Sequence, residues 1–279
     1  MERIVEICCG SYQDALEAAA GGARRIELNS ALLLGGLTPT ETTLRMVKED
    51  TDLEVVAMVR PRGAGFCYTD EEYRVMEQEC RQLLAAGADG IAFGCLTAER
   101  MPDREKDRRL LELIKEKGKT AVFHRAFDCT SQPFKAIEML IHMGVDRVLT
   151  SGLQGKATEG REMLRRLQKD YGSQIQILAG SGIHPQNVAE LMAYTKIAQV
   201  HSSCKAWRAD PTTQGNGVSY SIAEGDQAMC YDVVFAPLVR ELIRIVCDSD
   251  VPDDLFFTGL PADRPGGEGQ MRSPDEKTG

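Results

Sequence analysis

Side chains able to do chemistry recur in this sequence at one kind of place, the point where a short apolar run stops. The stretch Thr120-Ala-Val-Phe-His-Arg-Ala-Phe-Asp128 begins as a β-rich run and ends in His124, Arg125 and Asp128. Residues 4–8 carry Glu6 and Cys8, and residues 25–29 carry Glu27 and Asn29. The run over residues 53–59 is followed by Arg60-Pro-Arg62-Gly, and that over 146–150 by Ser151-Gly152. Residues 175–179 lead into Gly180-Ser181-Gly182, and residues 197–202 include His201 and Ser202. Functional groups at the ends of successive strands are how a (β/α)8 barrel builds a site at its C-terminal mouth.

Each set has a chemical reading and a plainer one. In residues 4–8 and 25–29 the apolar side chains alternate with Glu6, Cys8, Glu27 and Asn29, so the polar set shares one face of each strand. With the apolar faces packed on helices, both glutamates point into the barrel from strands about 4.8 Å apart. Two such carboxylates are costly unless a proton, a cation or a base sits with them. Glu6 and Glu27 are therefore candidates for a catalytic base or for ligands of a divalent cation such as Mg2+ or Mn2+. The plainer reading pairs them with Arg60, Arg62 or Arg125.

His124 and His201 could bind a metal, move a proton, or be satisfied core histidines. Asp128, just after His124, joins the catalytic candidates. Arg60, Arg62 and Arg125 suit a carboxylate or phosphate group, which guanidinium binds bidentately. Ser151, Gly180, Ser181, Gly182, His201 and Ser202 fall where barrels hold anions through backbone N–H groups. A tight strand-to-helix turn alone would also account for the glycines.

The elements that must position these residues follow from the alternation of β-type and helix-type segments. Eight strands alternating with helices over about 200 residues imply a parallel sheet with crossover helices, and eight is the number that closes a barrel. A doubly wound open sheet is the rival, but Cys8-Cys-Gly-Ser-Tyr12 lacks the Gly-x-Gly-x-x-Gly spacing after strand 1. The expected fold is α/β, a single TIM-like (β/α)8 barrel over residues 1–248. Within it, a helix is expected from Thr158 to Tyr171, a loop or lid over residues 205–230, and a C-terminal helix over residues 231–247. Residues 249–279, rich in Asp, Pro and Gly, read as a flexible, acidic, disordered tail.

The totals narrow the partners. The 279 residues carry a net charge of −9, which argues against a protein that neutralises nucleic-acid backbones. No run is long and apolar enough for a membrane span, and the N-terminus lacks a secretory pattern. Nine cysteines with no Cys-x-x-Cys spacing fit free thiols in a reducing, cytoplasmic setting.

The segments Glu-Ile-Cys (6–8), Arg-Ile-Glu-Leu (25–28), Gly-Gly-Leu-Thr-Pro (35–39) and Val-Arg-Pro-Arg-Gly (59–63) occur in consistent order with three more. These are Ala-Asp-Gly-Ile-Ala-Phe-Gly (88–94), Phe-His-Arg-Ala-Phe-Asp (123–128) and Arg-Val-Leu-Thr-Ser-Gly (147–152). Over residues 3–205 the chain thereby resembles the CutC copper homeostasis family. The resemblance implies a cytoplasmic TIM-like barrel that forms a homo-oligomer and binds copper. In some members cysteines end both strand 1 and strand 2, and these have been proposed to hold Cu(I). Here Cys8 matches the first position and Asn29 occupies the second, removing one soft ligand. Cys204 and Met58 are candidate replacements. The alternative is an enzyme, with or without a metal, acting on a small anionic metabolite, phosphorylated or not, in the cleft.

Overall fold

The computed structural model describes residues 2–247. The tail expected over residues 249–279 lies outside the described residues. Eight strands, β1 (Ile4–Cys9), β2 (Arg25–Leu28), β3 (Glu54–Met58), β4 (Gly90–Phe93), β5 (Thr120–Phe123), β6 (Arg147–Thr150), β7 (Gln176–Gly180) and β8 (Gln199–Ser202), close into a parallel barrel in sequence order. Seven helices alternate with them: α1 (Tyr12–Ala20), α2 (Glu41–Asp50), α3 (Asp70–Ala85), α4 (Arg104–Glu116), α5 (Pro133–Met143), α6 (Arg161–Tyr171) and α7 (Pro185–Thr195). An eighth, α8 (Ala236–Val246), packs against α7, α1 and β1, and so completes the outer ring. This is the TIM-like barrel expected from the alternation of segments.

Local chemistry sets the helix starts. Ser11 caps α1 by accepting the Asp14 N–H, and Thr40 does the same for α2 with Thr43. Thr69 and Glu72 form a reciprocal capping box on α3, and Asp103 caps α4. Helix α6 begins at Arg161 rather than Thr158. Gly160 stands there because a Cβ would lie 2.0 Å from the Ser151 carbonyl oxygen, so the loop after β6 presses its backbone against residue 160.

The segment expected to be a loop or lid is partly sheet. β9 (Lys205–Ala209) pairs antiparallel with β12 (Cys230–Val234), and the short strands β10 (Gln214–Gly215) and β11 (Val218–Ser219) form a hairpin between them. Residues 231–234, read as helix from their spacing, belong to β12. Buried Asp14 of α1 fastens this ribbon: one carboxylate oxygen accepts the Val234 N–H at 2.8 Å and the other the Gly10 N–H at 3.0 Å.

The strand residues Val5, Ile7, Ile26 and Leu28 face the helices and are buried in the main core. Inside the barrel, alternate strands contribute successive layers. Register places Arg25, Gly90, Arg147 and Gln199 at the base, then Glu6, Val56, Val122 and Leu178, then Glu27, Ala92, Leu149 and His201. Cys8, Met58, His124 and Gly180 follow toward the mouth. The interior is therefore divided lengthwise. Val56, Met58, Ala92, Val122, Leu149 and Leu178 make an apolar cluster on the β3–β7 side, and the charged residues concentrate on β8, β1 and β2, with Arg147 reaching them from β6 at the base.

Candidate functional site

At the base of the interior, Glu6 receives Arg25 Nε at 2.7 Å and Arg147 Nη1 at 3.6 Å. Arg25 also donates to Gln199 Oε1 at 2.7 Å, and Arg147 to Gln176 Oε1 at 3.0 Å. All three charged residues are under 5 % exposed. Glu6 is thus a buried counter-ion to two arginines that begin their strands. It lies below the open pocket and does not line it, which withdraws it from the catalytic and metal-binding candidates. The pairing reading was right for Glu6, but the partners are Arg25 and Arg147 instead of Arg60, Arg62 or Arg125.

One layer up, β8, β1 and β2 bring His201, Cys8 and Glu27 together. His201 Nε2 lies 3.2 Å from Glu27 Oε2 and 3.9 Å from Glu6 Oε1. Asn29 Nδ2 donates to Glu27 Oε2 at 2.9 Å, and lies 3.7 Å from Cys8 Sγ, itself 3.8 Å from Glu27 Oε2. Burial alone would push the His201 imidazole down, but the Glu27 carboxylate and hydrogen bonds to Cys8 and Glu27 raise it well above its usual value. Burial would raise Glu27, yet the His201 charge and the hydrogen bonds from His201 and Asn29 hold it below the usual carboxylate value. The two form a buried imidazolium–carboxylate pair. Burial pushes the Cys8 thiol up to about 11, with His201 opposing in part.

His124, at the mouth on β5's end, is 2 % exposed and sits apart from that trio. Its Nδ1 accepts the Ala126 N–H at 3.2 Å, which leaves the ring proton on Nε2. Burial, then the nearby Arg60 charge, lower its pKa to about 4. The Phe66 ring lies 5.0 Å from the His124 ring, and Arg60 stacks on the other partner of that contact, its guanidinium carbon 5.0 Å from the Phe66 centroid.

The remaining expected residues divide sharply. Arg60 lines the pocket, while its Nη1 donates to the Leu34 and Gly36 carbonyls and its Nη2 to that of Ala64. Arg62 points elsewhere: it pairs with Glu72 and donates to the carbonyls of Gly63, Gly65 and Cys67, so it shapes the loop and is not an anion ligand. Asp128 accepts from Thr150 Oγ1, the Ser151, Leu153 backbone N–H groups and Ser151 Oγ, and pairs with Arg125 at 2.8 Å. It anchors the loop after β6 and holds no free oxygen for catalysis. Ser151, fully buried, is spent on the same anchor, although Arg125 beside it reaches the pocket wall. Gly180 does not line the pocket; it leaves room for Leu149, which a Cβ would meet at 2.6 Å. Ser181, Gly182, His201 and Ser202 do line it.

These groups surround a pocket of about 570 Å³ at the C-terminal mouth, with Leu32, Leu33, Phe66, Met58, Leu149 and Ile183 among its apolar walls. The 3-10 turn Leu32–Leu34 and the start of the ribbon at Lys205 supply part of its rim. Nothing in an apolar Leu triplet signals a pocket wall, whereas Lys205 begins the segment expected as a loop or lid. Cys204 also lines the pocket and is buried.

Among the described residues, Cys8, Glu27 and His201 offer ligand atoms that all lie within 4.8 Å of one another, a spacing a single ion can bridge. Only one carboxylate belongs to it, so the oxygen-rich pair expected for Mg2+ or Mn2+ is not presented. His201 takes the place in the trio that Glu6 and His124 were expected to fill. Asn29, where a second thiolate would stand, holds the Glu27 and Cys8 side chains instead.

Comparison with known proteins places the chain. The CutC family model matches residues 3–206. A CutC family protein of Treponema denticola is 42 % identical over 216 residues, which cover 77 % of this chain and 87 % of that protein. The human copper homeostasis protein cutC homolog is 35 % identical over 230 residues, 81 % of each chain. The crystal structure of a CutC protein from Streptococcus agalactiae superposes with a TM-score of 0.68 at 28 % identity, covering 72 % of this chain and 98 % of that one. The chain belongs to the CutC family of copper homeostasis proteins.

Proposed function

We propose that the mouth of the barrel takes up copper as cargo, with Cys8 Sγ and His201 Nε2 as its ligands and Glu27 as the counter-charge beside them. The observation that carries this reading is the convergence of the three donor atoms within 4.8 Å. Thiolate is a soft donor that selects Cu(I), imidazole also suits copper, and Met58 and Cys204 line the same pocket with further soft sulfur. No disulfide forms among the described residues, which supports a reducing compartment such as the cytoplasm.

The protonation states give the reading a sign. With no metal, burial keeps the Cys8 thiol protonated, at about 11, and the Glu27 carboxylate keeps His201 protonated. A metal must displace both protons, so uptake should strengthen as pH rises. Anaerobic titration with Cu(I) against a colorimetric chelator at pH 6.5 and pH 8 measures this. One ion per chain is expected, held more tightly at the higher pH. Cys8→Ser and His201→Gln should each weaken it by at least about tenfold, the low end of what losing a supporting contact costs. Unchanged affinity in Cys8→Ser, or no uptake by the native chain, would overturn the reading.

A further inference from the structure

A pocket of about 570 Å³ is far larger than an ion, and its unmet hydrogen-bonding groups are unevenly placed. On the β2 side Glu27 Oε1 and Asn29 Oδ1 are acceptors without partners among the described residues, but the Glu27 charge is already offset by His201. From the ends of β3 and β5 come two donors, Arg60 Nε and His124 Nε2, each buried and without a hydrogen-bond partner among the described residues. The position of the His124 proton is fixed, because Nδ1 is committed as an acceptor to Ala126 N–H.

Arg60 adds a charge. It is 5 % exposed, and among the described residues it forms no ion pair with an acidic side chain. Its three backbone carbonyl contacts solvate the guanidinium but do not neutralise it. A buried cation without a counter-ion is costly, and here it forms part of a pocket wall. An amide or an ammonium ligand would leave that charge unmet. A phosphate would bring more negative charge than one guanidinium offsets. A carboxylate has the matching single charge and two acceptor oxygens, one for each unmet donor.

We propose that this pocket binds a small organic monocarboxylate with an apolar body, its carboxylate seated between Arg60 and His124. The apolar body would lie against Met58, Leu149 and Phe66. The Phe66 ring is 5.0 Å from both the His124 ring and the Arg60 guanidinium carbon, so it packs beside both donors. Phe66 follows Gly65 on a loop whose Ala64 adopts a φ of 65°. The site uses neither Cys8 nor His201, so it stands or falls separately from copper uptake.

Benzoate, benzamide and inorganic phosphate distinguish the chemistries, read by calorimetry on the copper-free full chain and by the NMR shifts of the His124 ring. Benzoate should bind once per chain and shift the Nε2 signal. Benzamide, of the same shape but uncharged, should bind at least about tenfold more weakly, since a charge-assisted hydrogen bond is roughly twice as strong as a neutral one. Phosphate at equal concentration should not displace benzoate. His124→Asn keeps an acceptor for the Ala126 N–H while deleting the Nε2 donor, and should weaken benzoate by about fivefold, the worth of one hydrogen bond. Arg60→Met should abolish binding if the chain folds, and His124→Asn keeps the question answerable if it does not. Equal affinity for benzamide, displacement by phosphate, an unaffected His124→Asn variant, or no benzoate binding at millimolar concentration would each overturn the assignment.

Discussion

His124 shows how much one buried titratable group can weigh. In the unfolded chain an imidazole protonates near pH 6.5, whereas in the fold burial and the Arg60 charge hold it neutral down to about 4. Between those values the unfolded chain binds more protons, so stability falls as pH falls from 6.5 toward 4 and is fully present above 6.5. The gap corresponds to about 3 kcal/mol lost at the acid end. Urea unfolding at pH 7 and pH 4.5 should therefore show a smaller pH penalty in His124→Asn than in the native chain. An undiminished penalty would mean that His124 is not the group responsible. The His201–Glu27 pair behaves oppositely at each end: its contribution fades as Glu27 takes a proton in acid and as His201 loses one in alkali.

At the scale of elements, Asp14 ties the antiparallel ribbon of β9 and β12 to α1 through a buried bond to the Val234 N–H. Replacing Asp14 by Ala strands the Gly10 and Val234 N–H groups, and a buried unsatisfied donor costs about 1–3 kcal/mol. Limited proteolysis of Asp14→Ala should show faster cutting within residues 205–234 than in the native chain, with the barrel strands still protected. Equal rates would show that the ribbon is fastened by other contacts. The pocket rim begins on this ribbon at Lys205, so its attachment also sets the shape of one wall. The helix boundaries carry a parallel lesson. Ser11, Thr40 and Thr69 announce their helices by local capping, whereas the late start of α6 depends on a backbone approach between residues 151 and 160 that no local pattern records.

For the whole molecule, the layering of the barrel interior from base to mouth separates stability from function. Glu6 neutralises Arg25 and Arg147 at the base, beneath the pocket. Glu6→Gln leaves two buried guanidiniums without their carboxylate, and breaking such a pair costs about 3–5 kcal/mol. Urea unfolding of Glu6→Gln should show that loss, and a change below about 1 kcal/mol, the ceiling for exposed pairs, would refute a base held by charge. No helix among the described residues is long and apolar enough to cross a membrane. The sequence by itself determined the barrel, because strand and helix periodicity, capping residues and glycines are local signals that repeat eight times. It also determined that polar residues collect at one mouth, since side-chain alternation along a strand fixes which face each residue occupies. Only the tertiary structure decided which of those residues are free. Arg25 and Arg147 begin strands far apart in sequence yet claim Glu6; Glu72 claims Arg62; the loop after β6 claims Asp128. Ion pairing depends on distances between elements, and spacing along one strand carries no record of them. That is why Cys8, Glu27 and His201 emerge as the trio, with Arg60 and His124 lining the same pocket.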